Sequence, residues 1–259
     1  MMLLKKFFKP KSRFFYTLHK CASVLFGKFI LPNVNGLTHI NYGSQVFRGE
    51  LSNGDKVKFR KRGFVYGPIR VSNGLRPTEL SRRSHVYRDA ANPNFVRDKI
   101  AVFFVRDPRD ILVSEYYSFG FTHKPSPSPA IQKIRAKRIK EIQRMTLDEY
   151  VLEMVPLKIK HFEDIHALSS NCPQSVMLKY EDMILNFDFF IEQLRKYLDI
   201  EDAIVDGIYQ KSRPRKVEDI KSHRRSGQVQ GFRTKLKDTT IEAINIKLAD
   251  TMPLFGYEI

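Results

Sequence analysis

Six consecutive apolar residues, Ile100-Ala101-Val102-Phe103-Phe104-Val105, stand between the polar triplets Arg97-Asp98-Lys99 and Arg106-Asp107-Pro108. The run is short and rich in β-branched and aromatic side chains, a pattern that predicts a buried strand. Asp107 before Pro108 is a helix-start signature, with Asp as N-cap and Pro at the first helical position; the helix it opens carries Ser114 about two turns in. Strand-like runs recur at residues 14–18, 63–70 and 175–180. Helical spacing appears at 23–31, ended by Pro32, and at 133–140, 187–198 and 239–249, and Thr146-Leu147-Asp148-Glu149 has the form of a capping box opening one more helix. Residues 33–63, rich in Asn and Gly, read as loop with short strand pieces such as Gln45-Val46-Phe47. Residues 71–99 read as irregular, with Pro77, Asn92 and Pro93 as breakers, and Pro125-Ser126-Pro127-Ser128-Pro129 as a stiff linker. Strands alternating with helices predict an α/β fold: one domain with a central, mostly parallel sheet flanked by helices, for which 259 residues suffice.

Such sheets bind ligands beyond the carboxyl ends of their strands. Arg106 sits at one of those ends with Ser114 facing the same crevice, and an arginine plus a hydroxyl suits a phosphate. The first strand leads into His19-Lys20-Cys21-Ala22-Ser23. Between a strand and a helix, the N–H groups of Cys21, Ala22 and Ser23 can point at an anion while Lys20 adds a point charge, a P-loop-like arrangement. Ala22 is tolerable there only with a negative φ. Late in the chain Arg213, Arg215, Lys216, Lys221, His223, Arg224, Arg225 and Arg233 crowd one polar stretch whose like charges call for an anion. Residues 211–233 are therefore expected to form a basic loop, mobile until an anion offsets its charges.

These segments together resemble the sulfotransferases that use 3'-phosphoadenosine 5'-phosphosulfate (PAPS). Residues 13–23 resemble the family's first strand and 5'-phosphosulfate loop, so that His19, Lys20, Cys21, Ala22 and Ser23 would meet the phosphosulfate. Ala22 stands where Gly is usual, and Ser23-Val24 where two hydroxyl residues are usual. Arg106 and Ser114, eight apart and followed by Tyr116-Tyr117, resemble the 3'-phosphate element. Leu178-Lys179-Tyr180-Glu181-Asp182-Met183 resembles the segment whose Tyr meets the adenine. Arg225-Ser226-Gly227 resembles the loop that closes over the 3'-phosphate, and Phe255-Gly256-Tyr257 is similar to the way many such domains end. The resemblance implies sulfuryl transfer from PAPS to a hydroxyl or amine, without a metal, with Lys20 neutralising the leaving oxygen. It also implies a histidine base in a strand upstream of the 3'-phosphate element. His85, 21 residues before Arg106, has about the right separation, although the better strand pattern ends at Arg70; His19 and His123 are the other candidates.

Composition changes the picture in two respects. Lys and Arg total 45 against 28 Asp and Glu, a formal charge of +17. A phosphosulfate nucleotide accounts for part of this excess, but Lys133-Ile134-Arg135-Ala136-Lys137-Arg138-Ile139-Lys140 lies apart from the motifs and reads as a solvated helix face or a site for an anionic partner. The two cysteines, Cys21 and Cys172, offer neither a disulfide framework nor metal-ligand spacing, and no apolar run is long enough to span a bilayer. A cytoplasmic protein is the expectation. A P-loop kinase or NTPase is disfavoured because no Gly-x-x-x-x-Gly-Lys-Ser/Thr occurs, and a nucleic-acid or anion-binding module because the basic runs lack interleaved aromatics. The acceptor is expected to be a small molecule, glycan or lipid, with basic loops suited to one that is already anionic.

Overall fold

Arg13–Thr17 forms β1 of the computed structural model, which describes residues 9–51, 57–71, 89–122, 129–214 and 227–259. With β2 (Thr38–Ile40), β3 (Phe64–Arg70), β4 (Ile100–Val105) and β5 (Gln174–Lys179) it makes one sheet in the order β2-β3-β1-β4-β5, every pairing parallel. Both faces are buried. Phe15 and Phe104 point one way, against Phe26 at ring separations of 4.0 and 4.7 Å; Tyr16 and Phe103 point the other and stack at 4.9 Å. Each such ring contributes about 1.5–3 kcal/mol by leaving water, which explains why β1 and β4 read as near-continuous apolar runs.

After β1 a helical run begins with α1 (Ser23–Leu25), widens to a π turn over Phe26–Ile30 and tightens to a 3-10 turn over Leu31–Asn33. Pro32 does not end the helix as its sequence position suggested. It sits in the first turn of the 3-10 segment, where its missing N–H costs nothing, and the chain leaves at the extended Val34. The strand piece expected at Gln45-Val46-Phe47 is also replaced, by α2 (Tyr42–Arg48). Asn41 starts this helix by accepting the Ser44 N–H on its side chain at 2.9 Å, a local cap that outweighs the β-branched and aromatic pair.

The remaining helices are α3 (Pro93–Val96), α4 (Pro108–Tyr117), α5 (Pro129–Gln143), α6 (Leu147–Ser170), α7 (Tyr180–Leu185), α8 (Phe187–Arg195), α9 (Asp202–Ser212) and α10 (Asp238–Leu248). The Thr146 capping box is present as read, with Glu149 N–H on Thr146 Oγ1 at 3.3 Å and Thr146 N–H on Glu149 Oε2 at 2.7 Å. A second apolar cluster joins Leu112 and Val113 of α4 to Tyr150, Val151 and Val155 of α6, Phe232, and Ile244 and Leu248 of α10. It fixes α4 behind the tip of β4, and with it the position of Arg106. No helix among the described residues is long and apolar enough to cross a membrane.

Candidate active site at the strand tips

β1 lies between β3 and β4, so the residues leaving these three strands meet at one end of the sheet. Two of them, Lys20 at φ 62° and Ala22 at φ 47°, occupy the left-handed region. The expectation that Ala22 has a negative φ is therefore overturned. The turn from β1 into α1 is so tight that Leu25 N–H reaches the Ala22 carbonyl at 2.9 Å, and Ala22 holds the geometry at roughly 1–2 kcal/mol. Among the described residues the third non-glycine residue with positive φ is Gln230, at 56°, in the late loop. Backbone strain is thus gathered at the two loops that the motifs single out, as is common where a site must be held in one shape.

Arg106 is the centre of the arrangement. It is 7% exposed at the tip of β4, and its guanidinium lies 4.4 Å from the centroid of the Tyr180 ring. Its Nη2 donates to the Gln228 carbonyl at 2.7 Å and approaches Asp110 Oδ2 at 3.4 Å, and its Nη1 approaches the Lys20 carbonyl at 3.5 Å. Burial disfavours its charge, but Asp110, Tyr180 and Glu181 around it more than offset this and keep its pKa above the usual arginine value. Nε is buried with no hydrogen-bond partner among the described residues. The pair of Arg106 with Asp110 is buried rather than a surface ion pair.

The late loop is fastened to the same point. Tyr180 donates its hydroxyl to the Gly227 carbonyl at 2.6 Å. Gly227 has φ +76°, and a Cβ there would stand 3.0 Å from the Tyr180 oxygen, so both the turn and the close approach require glycine. Asp110 accepts the Gln230 and Phe232 N–H groups at 2.9 and 3.0 Å. Residues 227–232, the end of the 211–233 segment expected as a basic loop, are thus bonded to Tyr180 and Asp110. At the other end of that segment, residues 211–212 complete α9. Residues 215–226, and with them Arg225 and Ser226, lie outside the described residues, as do His85 and His123.

Behind the site, Asp107 caps α4 through the Arg109 N–H at 2.8 Å and pairs with the Arg109 guanidinium at 2.7 Å; Arg109 also reaches Asn245 at 3.0 Å and the Glu258 carbonyl at 2.9 Å. Arg109 is a structural tie to the end of the chain. Glu181 accepts the Asp107 N–H at 3.0 Å and the Tyr257 hydroxyl at 2.8 Å, and burial pushes its carboxyl above the usual range. Burial likewise pushes the Cys21 thiol up to about 12, so this residue offers the loop a backbone donor and no nucleophile. Ser114 is partly exposed on α4, and His19 meets the Phe119 ring edge-on at 5.9 Å.

Sequence reasoning missed two participants. Asp110 pairs with Arg106 and also anchors the late loop through the Gln230 and Phe232 N–H groups. Arg70, the last residue of β3, donates from Nη2 to Ser23 Oγ at 3.0 Å. The available signal was that the 64–70 strand pattern ends in a cation beside the loop.

The described residues bring the motif segments together at one end of a parallel sheet, and comparison with known families bears on what that fold is. The model of the sulfotransferase domain matches residues 36–255. The chain belongs to the sulfotransferase domain family. The match begins after the 13–23 segment, so for that part of this sulfotransferase the strand, turn and loop geometry stand by themselves. Among solved structures, the mouse sulfotransferase SULT7A1 complexed with PAP, the desulfonated nucleotide, aligns with a TM-score of 0.55 over 93% of this chain and 84% of that one, at 12% identity. This likeness concerns the fold. No curated protein gives a significant sequence match to the sulfotransferase.

Proposed function

We propose that this sulfotransferase binds PAPS across the tips of β1, β4 and β5, with Arg106, Ser114, Tyr180 and the 225–227 segment on the 3'-phosphate and adenosine side and residues 19–23 on the phosphosulfate. The observation that carries this reading is the convergence of four segments far apart in sequence. Lys20, Tyr180 and Gln228 all meet Arg106, and Tyr180 in turn holds Gly227. The buried Nε of Arg106 is a donor of the kind that a phosphate oxygen satisfies. The bound nucleotide supplies the sulfuryl group. The acceptor oxygen or nitrogen forms a bond to sulfur as the bond from sulfur to the bridging oxygen breaks, and the electron pair stays on that oxygen as PAP leaves. Lys20 neutralises the charge that develops there, the place where charge stabilisation lowers the barrier of a loose in-line transfer. The acceptor proton passes to a base, for which His85 is proposed.

The acceptor class favoured is an anionic one. Lys133, Lys137 and Lys140 are exposed on α5 at a spacing that sets them along one face, Arg144 is exposed just past its end, and none of the four has an acidic partner among the described residues. The end of this helix is tied to the site: Gln143 donates to the Gly120 carbonyl at 2.9 Å, in the turn that carries Phe119 against His19. Transfer of labelled sulfate from PAPS into a pool of neutral and anionic acceptors tests the proposal. The parent is expected to label anionic acceptors, and Lys20→Met to lower turnover by orders of magnitude while PAP affinity falls much less. Near-parental turnover in Lys20→Met would remove Lys20 from this role.

A further inference from the structure

The phosphosulfate loop is gripped from two sides by arginines on neighbouring strands. On the β4 side Arg106 Nη1 approaches the Lys20 carbonyl; on the β3 side Arg70 Nη2 donates to the Ser23 hydroxyl at 3.0 Å. Arg70 is the last residue of β3 and stands in register with Thr17, the last residue of β1, so its Cα is level with the start of the loop. The side chain is half-buried and directed at Ser23, and so across the start of α1 rather than into solvent.

This placement has two chemical consequences. A guanidinium carries five N–H donors in a planar fork, so it can hold a hydroxyl and an oxyanion together, and its charge persists at any working pH. In accepting from Arg70, Ser23 keeps its own O–H to donate, so the pair presents two converging donors on the loop's β3 side. An arginine cannot, on the other hand, take a proton from an acceptor. The β3 tip therefore supplies charge to the reaction, and the base has to come from elsewhere.

We infer that Arg70, with Ser23, forms the binding site for the sulfonate end of PAPS, leaving Arg106 to the 3'-phosphate. This rests on the PAPS reading above and assigns to one further residue the group that is transferred. PAP lacks the sulfonate and PAPS carries it, so the difference in affinity between the two nucleotides reports contacts to that group alone, without any need to know the acceptor.

The test is calorimetric titration of the parent, Arg70→Met and Arg70→Lys with PAPS and with PAP. In Arg70→Met, PAPS affinity is expected to fall about ten- to a hundredfold, the range of a lost charge-assisted bond, while PAP affinity stays within about threefold; Arg70→Lys should fall between the two. Retained PAP binding also shows that the variant is folded. Equal losses for PAPS and PAP, or complete loss of PAP binding in both variants, would reduce Arg70 to a support for the loop and overturn the inference. An unchanged PAPS-to-PAP ratio in Arg70→Met would overturn it alone, leaving the nucleotide reading intact. A parent that binds neither nucleotide would overturn both.

Discussion

Ala22 holds a left-handed backbone that its own methyl group disfavours, and it does so one residue before the first helical turn of the site. Glycine would remove a penalty of roughly 1–2 kcal/mol and add back about 0.4–1 kcal/mol of unfolded-state entropy. The difference favours glycine, so Ala22→Gly is expected to raise the melting temperature by a few degrees; an equal or lower value would show that the loop accommodates the methyl without cost. Its neighbour Cys21 makes a second prediction at this scale. With the thiol pushed up to about 12 by burial, the group is neutral at physiological pH, and its reactive fraction grows as pH rises toward that value. At pH 8 the thiolate fraction is on the order of 10⁻⁴, against about a quarter for an ordinary cysteine. Alkylation of Cys21 in the native protein should accordingly run about a thousandfold slower than that of a free thiol; peptide mapping after iodoacetamide treatment measures this, and a rate near the free-thiol value would contradict it.

The elements around the site are joined by few but buried polar contacts. Glu181, at the start of α7, connects the tip of β4 to the end of the chain by accepting from both Asp107 N–H and Tyr257 O–H. Glu181→Leu strands both donors and is expected to cost about 2–4 kcal/mol, read as a shift of the urea midpoint at constant slope. Glu181→Gln keeps an acceptor for the Asp107 N–H and should cost less than half as much; equal costs would mean that the carboxylate charge, rather than the two bonds, holds these elements. Elements with strong local signals were legible in advance. The capping box at Thr146 and the Asp107-Pro108 start are bonds between near neighbours in sequence and need no tertiary information. The Tyr42–Arg48 helix was hidden because its cap, Asn41, lay in a run of Asn and Gly residues that reads equally well as loop. The 24-residue α6 carries Pro156 inside it and α9 opens on Glu201 without a side-chain cap, so neither showed its full extent in the pattern.

At the scale of the molecule, the sheet type followed from the alternation of strands and helices, because parallel sheets require crossovers and bury both faces. The strand order, with β1 between β3 and β4, is set by packing between distant segments and was not legible. It is this order that brings Arg70 and Arg106 to opposite sides of one loop. For the same reason the motif residues Lys20, Arg106, Tyr180 and Gly227 could be read one by one, whereas the bonds of Asp110 to Gln230 and Phe232, which span 120 residues or more, could not. Together these segments are proposed to form a site for a nucleotide bearing a 3'-phosphate. Calorimetric titration of the parent and of Arg106→Ala with PAP and with 5'-AMP, which lacks that phosphate, tests it most directly. The parent is expected to prefer PAP by at least about ten- to a hundredfold, and Arg106→Ala to bring the ratio close to one. Equal affinity of the parent for PAP and 5'-AMP would contradict it.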